Sequence, residues 1–288
     1  MTRRSRWIIA MAIAGLAVAL LAYPAWRLAR RHVIRNELQA AWERSKAALP
    51  ASAARQEPLA EASCIAHAGG AVDGITYLNI MEGWQRSVEA GATLIEADML
   101  FTSDGVLVLA HDWDHFHRLT GEGTGVVTTA QFKASRLLGR FAPATWADAQ
   151  EFLLKHPTVR VVTDTKESAP RLLKQLADAP CKLQIIPQIY HPDEIAPAIA
   201  GGWKQIIFSA YKHPYPTAML LDIAKTTGCA LTMPLSRLDQ ATYDAARTAG
   251  VRLLVHPVDS PAEVSRFPGI GVYTSHVGLF LGAHRRDP

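Results

Sequence analysis

The stretch Thr93-Leu94-Ile95-Glu96-Ala97-Asp98-Met99-Leu100 is a short β-type run carrying two carboxylates set two residues apart. Side chains alternate along a strand, so Glu96 and Asp98 share one face. Working outward, seven further apolar β-type runs occupy residues 64–67, 159–166, 183–190, 205–211, 230–234, 252–257 and 271–275. Amphipathic segments lie between them at 81–90, 146–155, 170–177, 217–227 and 238–249, and Gly91, Gly228 and Gly250 fall where helix C-termini belong. Strands alternating with helices predict a parallel sheet with helices outside. Eight strands in roughly 225 residues predict a closed (β/α)8 TIM barrel. The alternative, a doubly wound open sheet, wants a glycine-rich phosphate turn after its first strand, and Ala66-His67-Ala68-Gly69-Gly70 is not that fingerprint.

The chain has 288 residues, 49% hydrophobic and 19% charged, which excludes a disordered, collagen-like or disulfide-framework protein. Its net charge of +4 is unevenly placed. Residues 1–35 hold seven arginines and no acidic residue, which leaves −3 for everything after Arg35. A nucleic-acid enzyme carries its basic footprint on the folded domain, so that class is disfavoured. The arginines bracket an uncharged apolar run, residues 7–26, long enough to span a bilayer, with Trp7, Tyr23 and Trp26 at its ends. A cleaved signal peptide is the alternative, although a small-x-small cleavage site is poor here. Arginines on both sides leave the orientation undecided by the positive-inside rule. The organisation read from the sequence is a basic tail (1–6), a transmembrane signal-anchor (7–26), a juxtamembrane helix and linker (27–60) and a TIM-barrel domain (61–288).

Active sites of such barrels lie at the C-terminal ends of the strands, and ionisable residues gather there. The first run ends at His67. The second carries Glu96 and Asp98, and the loop after it His111 and Asp112. The run at 159–166 ends with Asp164 and Lys166 on one face, and the next offers Gln188 and Tyr190. Later runs end in Ser209 and Tyr211, His256 and Thr274. Glu96, Asp98 and Asp164 bring three carboxylates to one mouth. Close anions repel and are costly to bury unpaired, and a hard divalent cation held by oxygen ligands resolves that cost. Rim salt bridges are the alternative. Two flanking histidines fit acid–base chemistry near neutral pH, and either fits metal ligation as well.

Together these motifs resemble a known family. Ile65-Ala66-His67-Ala68-Gly69-Gly70, Tyr77-Leu78-Asn79, Gly91 through Asp98, Thr102-Ser103-Asp104-Gly105, His111-Asp112 and Arg118-Leu119-Thr120 are similar in order and spacing to the glycerophosphodiester phosphodiesterases, members of the phosphatidylinositol-phospholipase-C-like barrels. Asp164-Thr165-Lys166 resembles the family's later acidic-x-Lys strand. The resemblance implies that His67 and His111 are the general acid and base, that Glu96, Asp98 and Asp164 ligate one Ca²⁺ or Mg²⁺, and that Lys166 contacts phosphate. Asn79, Gln188, Tyr190 and Arg118 complete the candidate substrate-binding set. Three departures stand out: Ala68 replaces the family's arginine, Asp164 its third glutamate, and Leu78 the glutamate before Asn79. Arg118 or Lys166 would then replace the missing phosphate clamp.

The function implied is hydrolysis of a glycerophosphodiester, or a related lipid or glycan phosphodiester, to an alcohol and a phosphomonoester. Two alternatives stand beside it: a phospholipase C- or D-like enzyme on intact membrane lipid, and an inactive barrel binding phosphorylated glycans or a protein. Cys64, Cys181 and Cys229 precede or begin strands at the barrel bottom, without metal-type spacing, and read as buried small residues. A catalytic domain on the extracytoplasmic side of the membrane is the expected location.

Overall fold

Every predicted β-type run contains a strand of the barrel. The computed structural model describes the backbone of residues 3–50, 56–61 and 63–282, and the side chains of these residues except 3–22 and 25. The strands are β1 (Cys64–Ala66), β2 (Leu94–Phe101), β3 (Leu107–Leu109), β4 (Arg160–Asp164), β5 (Ile185–Ile189), β6 (Ile207–Ser209), β7 (Ala230–Pro234), β8 (Leu253–His256) and β9 (Gly271–Thr274). All but β3 are parallel, and pairing of β1 with both β2 and β9 closes the eight of them into a barrel. The helices are α1 (Arg3–Ala47), α2 (Met81–Glu89), α3 (Trp113–Thr120), α4 (Thr129–Ala134), α5 (Trp146–Lys155), α6 (Ala169–Leu176), α7 (Ile195–Ala200), α8 (Thr217–Thr227), α9 (Gln240–Thr248) and α10 (Val277–Leu281).

The two-residue period of the strands sets what lies inside. Ile65, Leu94, Val162, Ile186, Ile207, Ala230, Leu254 and Tyr273 pack together in the barrel interior. Two residues further along the same strands stand His67, Glu96, Asp164, Gln188, Ser209, Thr232 and His256. An apolar floor therefore carries a polar layer one pleat above it, at the strand C-terminal ends. The intervening residues, such as Ile95, Ala97, Met99 and Val161, face the surrounding helices in a second, larger core.

Residues 102–145 depart from simple alternation. After β2 the chain turns through Thr102–Gly105 and returns as β3, antiparallel to the end of β2, with Met99 opposite Leu109. This hairpin and the short helices α3 and α4 bury their own core of Leu100, Val108, Phe116, Phe132 and Phe141, with Val72, Leu78 and Ile80. The sequence reading placed His111 in a loop. It lies there, in the short loop between β3 and α3, next to Ala110, whose N–H donates to the Asp98 carbonyl at 3.0 Å.

Residues expected to form a linker are partly structural. Leu59 joins the interior cluster and seals the barrel floor. The Gln56 and Glu57 amides donate to the Thr227 and Lys204 carbonyls. Residues 51–55 of that linker lie outside the described residues. The expected helix at 27–49 is present as the second half of α1, and it docks on the barrel. Leu38, Ala41, Trp42 and Ser45 recur at helical spacing and are buried. Trp42 Nε1 donates to Asp222 at 2.7 Å, Arg44 pairs with Asp193 at 2.8 Å, and the Ala196 amide donates to Ser45 Oγ. Tyr23, Trp26, Leu28 and Val33 are exposed. Among the described residues no helix is long and apolar enough to cross a membrane, and most side chains of the 7–26 span lie outside them. The three cysteines are free and buried, as expected.

Candidate active site

His67, Glu96, Asp98, His111, Asp164, Lys166, Gln188 and Tyr190 line one cavity of about 130 Å³ at the C-terminal mouth of the barrel. Tyr77, Tyr211, His256, Pro257 and Tyr273 complete its wall. The sequence therefore located both histidines, all three carboxylates and the lysine. Asn79 and Arg118 belong elsewhere. Asn79 is buried behind Asp98: its amide donates to Asp98 Oδ2, and its carbonyl accepts from the Asp98 backbone N–H, each at 3.0 Å. It positions Asp98 rather than lining the cavity. Arg118 is exposed on α3, outside the cavity wall.

His67 opens the turn after β1, and its two glycines are required by what packs above them. A Cβ on Gly69 would lie 2.7 Å from the Trp84 ring, and one on Gly70 2.2 Å from Ser87 Oγ, both at positive φ. Ala68 also takes a left-handed conformation, φ 48°. That turn aims its backbone N–H at Glu96 Oε2, 2.7 Å away.

Ligand oxygens of Glu96, Asp98 and Asp164 all lie within 4.8 Å of one another, and the side chains are buried. The parallel register places Asp98 level with Asp164. Lys166 Nζ lies 2.9 Å from Asp164 Oδ2 and 3.8 Å from Asp98 Oδ1. The Tyr190 hydroxyl donates to Asp164 Oδ1 at 2.5 Å, Gln188 donates to the Tyr190 hydroxyl, and the Tyr273 hydroxyl donates to Gln188. The shorter aspartate is thus held by a hydrogen-bonded chain across the barrel. Glu96 Oε1, fully enclosed, has no hydrogen-bond partner. An orphaned carboxylate oxygen facing two further carboxylates is an oxygen donor set suited to a hard divalent cation.

Burial and the neighbouring Asp98 and Asp164 push the Glu96 carboxyl well above its usual range. Burial and Asp164 push Asp98 up to about 6. Burial alone would raise Asp164, but Lys166 and the Tyr190 hydroxyl hold it below the usual range. An acid whose folded pKa exceeds its unfolded value binds more protons when folded, so its contribution to stability falls as pH rises between the two. For Asp98 that window runs from about 4 to about 6. Over it the metal-free protein is expected to lose stability from this group as pH rises. Urea unfolding in chelator, wild type against Asp98→Asn, reads this contribution together with the coupling of Asp98 to Glu96 and Asp164. A difference that does not change with pH contradicts the expectation.

The histidines differ in setting. His67 Nε2 lies 3.9 Å from Glu96 Oε2. Burial, followed by the neighbouring His256, pushes its imidazole down to about 4. His111 Nδ1 lies 2.6 Å from Asp112 Oδ2, and the other oxygen of Asp112 caps α3 by accepting the His115 N–H. Burial opposes ionisation of Asp112, but the His115 amide and His111 hold its carboxyl below the usual range. Ionised Asp112 can only accept, so Nδ1 of His111 carries the hydrogen and Nε2 is the free nitrogen.

His256 was recognised in the sequence only as a strand end. In the structure it is a third imidazole of the cavity wall, 2.9 Å from Thr232 Oγ1 and against the rings of Tyr211 and Tyr273. Burial pushes it down to about 4. Its place one pleat above Leu254 was the available signal.

Carboxylates, imidazoles and a lysine gathered in one cavity suit the hydrolysis of an anionic ester. Residues 76–206 match the model of the Glycerophosphoryl diester phosphodiesterase family. That match spans a little under half of the chain and makes it similar to a family of phosphoric diester hydrolases. Solved structures share its fold. A phosphodiesterase from Oleispira antarctica, in complex with the product sn-glycerol-3-phosphate, aligns with TM-score 0.64 and 16% identity over 78% of this chain and 97% of its own. A glycerophosphodiester phosphodiesterase from Thermotoga maritima aligns with TM-score 0.59 and 20% identity, covering 76% and 97%. One from Parabacteroides distasonis aligns with TM-score 0.61 and 16% identity, covering 79% and 100%. No curated protein sequence matches the chain.

Proposed function

We propose that the chain hydrolyses small glycerophosphodiesters, or related lipid- or glycan-derived phosphodiesters, by divalent-cation-dependent acid–base catalysis. The observation that carries this is the convergence of three buried carboxylates, one with an orphaned oxygen, on a cavity that also holds three imidazoles and a lysine. Glu96, Asp98 and Asp164 would hold Ca²⁺ or Mg²⁺, which when bound neutralises negative charge and polarises the non-bridging phosphate oxygens. Lys166 adds positive charge beside the same phosphate. His111, its Nδ1–H committed to Asp112, accepts the proton of the attacking water or substrate hydroxyl at Nε2. The phosphodiester anion favours the protonated form of His67, which then protonates the departing alkoxide. The P–O bond to the alcohol breaks as the new P–O bond forms, giving an alcohol and a phosphomonoester, or a cyclic phosphate where a substrate hydroxyl attacks.

The size of the cavity favours a short substrate. About 130 Å³ accommodates a phosphate and a small alcohol. The solved Oleispira phosphodiesterase with sn-glycerol-3-phosphate offers a precedent for that ligand size. Retention of every acid, base and acidic-triad member in one cavity disfavours an inactive barrel. In the same reading, residues 7–26 anchor the barrel in the membrane, with the catalytic domain on the extracytoplasmic side, and the exposed Arg27, Arg30, Arg31 and Arg35 lie at the lipid headgroups. The test is a substrate panel on the full chain in detergent with Mg²⁺ or Ca²⁺. Free alcohol should be released from glycerophosphocholine, glycerophosphoethanolamine or glycerophosphoglycerol, and not from the corresponding intact phospholipids. Cleavage of intact lipid alone would instead establish the phospholipase alternative.

A further inference from the structure

Tyr77 sits between the His-Ala-Gly-Gly turn and α2 with a backbone φ of 60°. A residue with a Cβ costs roughly 1–2 kcal/mol there, and a tyrosine lacks the short polar side chain that eases the cost for asparagine. The conformation is held from both sides. Ile75 is bridged to Val72, Leu78 and Ile80 are buried, and Asn79 (φ 52°) is tied twice to Asp98. Strain maintained by its surroundings at a site points to a role for the side chain it places.

The ring is placed among three imidazoles, one from the turn after β1 and two from the start of the α3 region. It meets His67 edge-on with centroids 4.7 Å apart, His111 at 5.8 Å and His115 at 6.4 Å, with interplanar angles of 75–87°. His111 in turn meets His115 at 5.8 Å. Two of these are the proposed proton-transfer pair, and both line the cavity together with Tyr77. His67 lacks the carboxylate that orients His111, so the Tyr77 edge contact restrains a ring that no such hydrogen bond fixes.

We infer that Tyr77 is a positioning residue. Its ring, rather than its hydroxyl, fixes the mutual orientation of His67 and His111, and the strained backbone serves to deliver that ring. The inference rests on the acid–base reading of the two histidines. Small displacements of reacting groups cost up to about 100-fold in rate. The test is steady-state hydrolysis of bis(4-nitrophenyl) phosphate by the full chain with saturating Mg²⁺ or Ca²⁺, together with thermal unfolding. Tyr77→Phe should retain kcat within about 2-fold, whereas Tyr77→Leu should lose about 30–100-fold in kcat with KM changed less than about 3-fold. Tyr77→Asn, which suits the left-handed backbone, should fold with an unfolding midpoint close to that of the wild type and show the same loss in kcat, so the test survives if the leucine variant is unstable. The inference is overturned if the phenylalanine variant falls as far as leucine, if the folded asparagine variant keeps wild-type turnover, or if KM rises with kcat unchanged. Wild-type inactivity on every phosphodiester would instead overturn the functional reading beneath it.

Discussion

Asp98→Asn is expected to lower kcat/KM by about 10³-fold and to abolish measurable binding of Ca²⁺ or Mg²⁺. Electrostatic stabilisation by a bound cation is worth several kcal/mol, and each 1.4 kcal/mol is about a factor of ten. Asp98 is firmly fixed within the acidic set. Asn79 holds it twice, the β2–β4 register sets it beside Asp164, and it is 3% exposed. The substitution preserves size and removes one of three mutually repelling charges. It therefore carries a second signature: the metal-free variant should be more stable than the metal-free wild type above pH 6, because burial and Asp164 already disfavour this carboxylate. Steady-state kinetics, calorimetric cation titration and denaturant unfolding read these effects separately. Turnover within about 3-fold of wild type would remove Asp98 from the cation site.

His67→Ala and His111→Ala are each expected to lower kcat by about 10²–10⁴-fold, the usual range for a positioned acid or base. Both variants should retain cation binding, since the carboxylate oxygens form the site without them. That separates loss of proton transfer from loss of metal. Removing both should cost little more than removing the more damaging one, because the two act as a unit. Asp112→Asn should fall less than His111→Ala, since the imidazole remains but loses the carboxylate that sets its tautomer. Asp112 also caps α3, so unfolding measurements are needed beside the kinetics. Loss of cation binding in either histidine variant would show that imidazole is a ligand, and the proposed division of labour would be wrong.

What was legible in the sequence follows from the strand period. Glu96 with Asp98, Asp164 with Lys166, and Gln188 with Tyr190 are i, i+2 pairs on apolar strands, so a shared face was predictable before their partners were known. The same period carries Ile65 to His67 and Leu254 to His256, but a single histidine at a strand end has no paired signal. The hairpin that delivers His111 was not readable as structure. β3 has three residues, and its core partners Phe116, Phe132 and Phe141 are brought to it only by tertiary folding. Asn79 and Arg118 were placed in the substrate set because of their motifs, yet one is consumed by Asp98 and the other points to solvent. Residues 27–60 read as a helix and a linker, but nothing in them announced Asp222 as the partner of Trp42. A tyrosine in a left-handed conformation has no sequence signature at all. The charge pattern was informative in another way: seven arginines lie in residues 1–35, and the rest of the chain is mildly acidic, so in the proposed reading phosphate would be met by the cation site and Lys166.

The most direct test of the account is phosphodiester cleavage by the full chain before and after exhaustive chelation, followed by addition of Ca²⁺ or Mg²⁺. Activity that disappears with chelator and returns with one of these cations is the predicted result. Undiminished hydrolysis in the chelated protein would contradict the central claim that Glu96, Asp98 and Asp164 serve catalysis by holding a divalent cation.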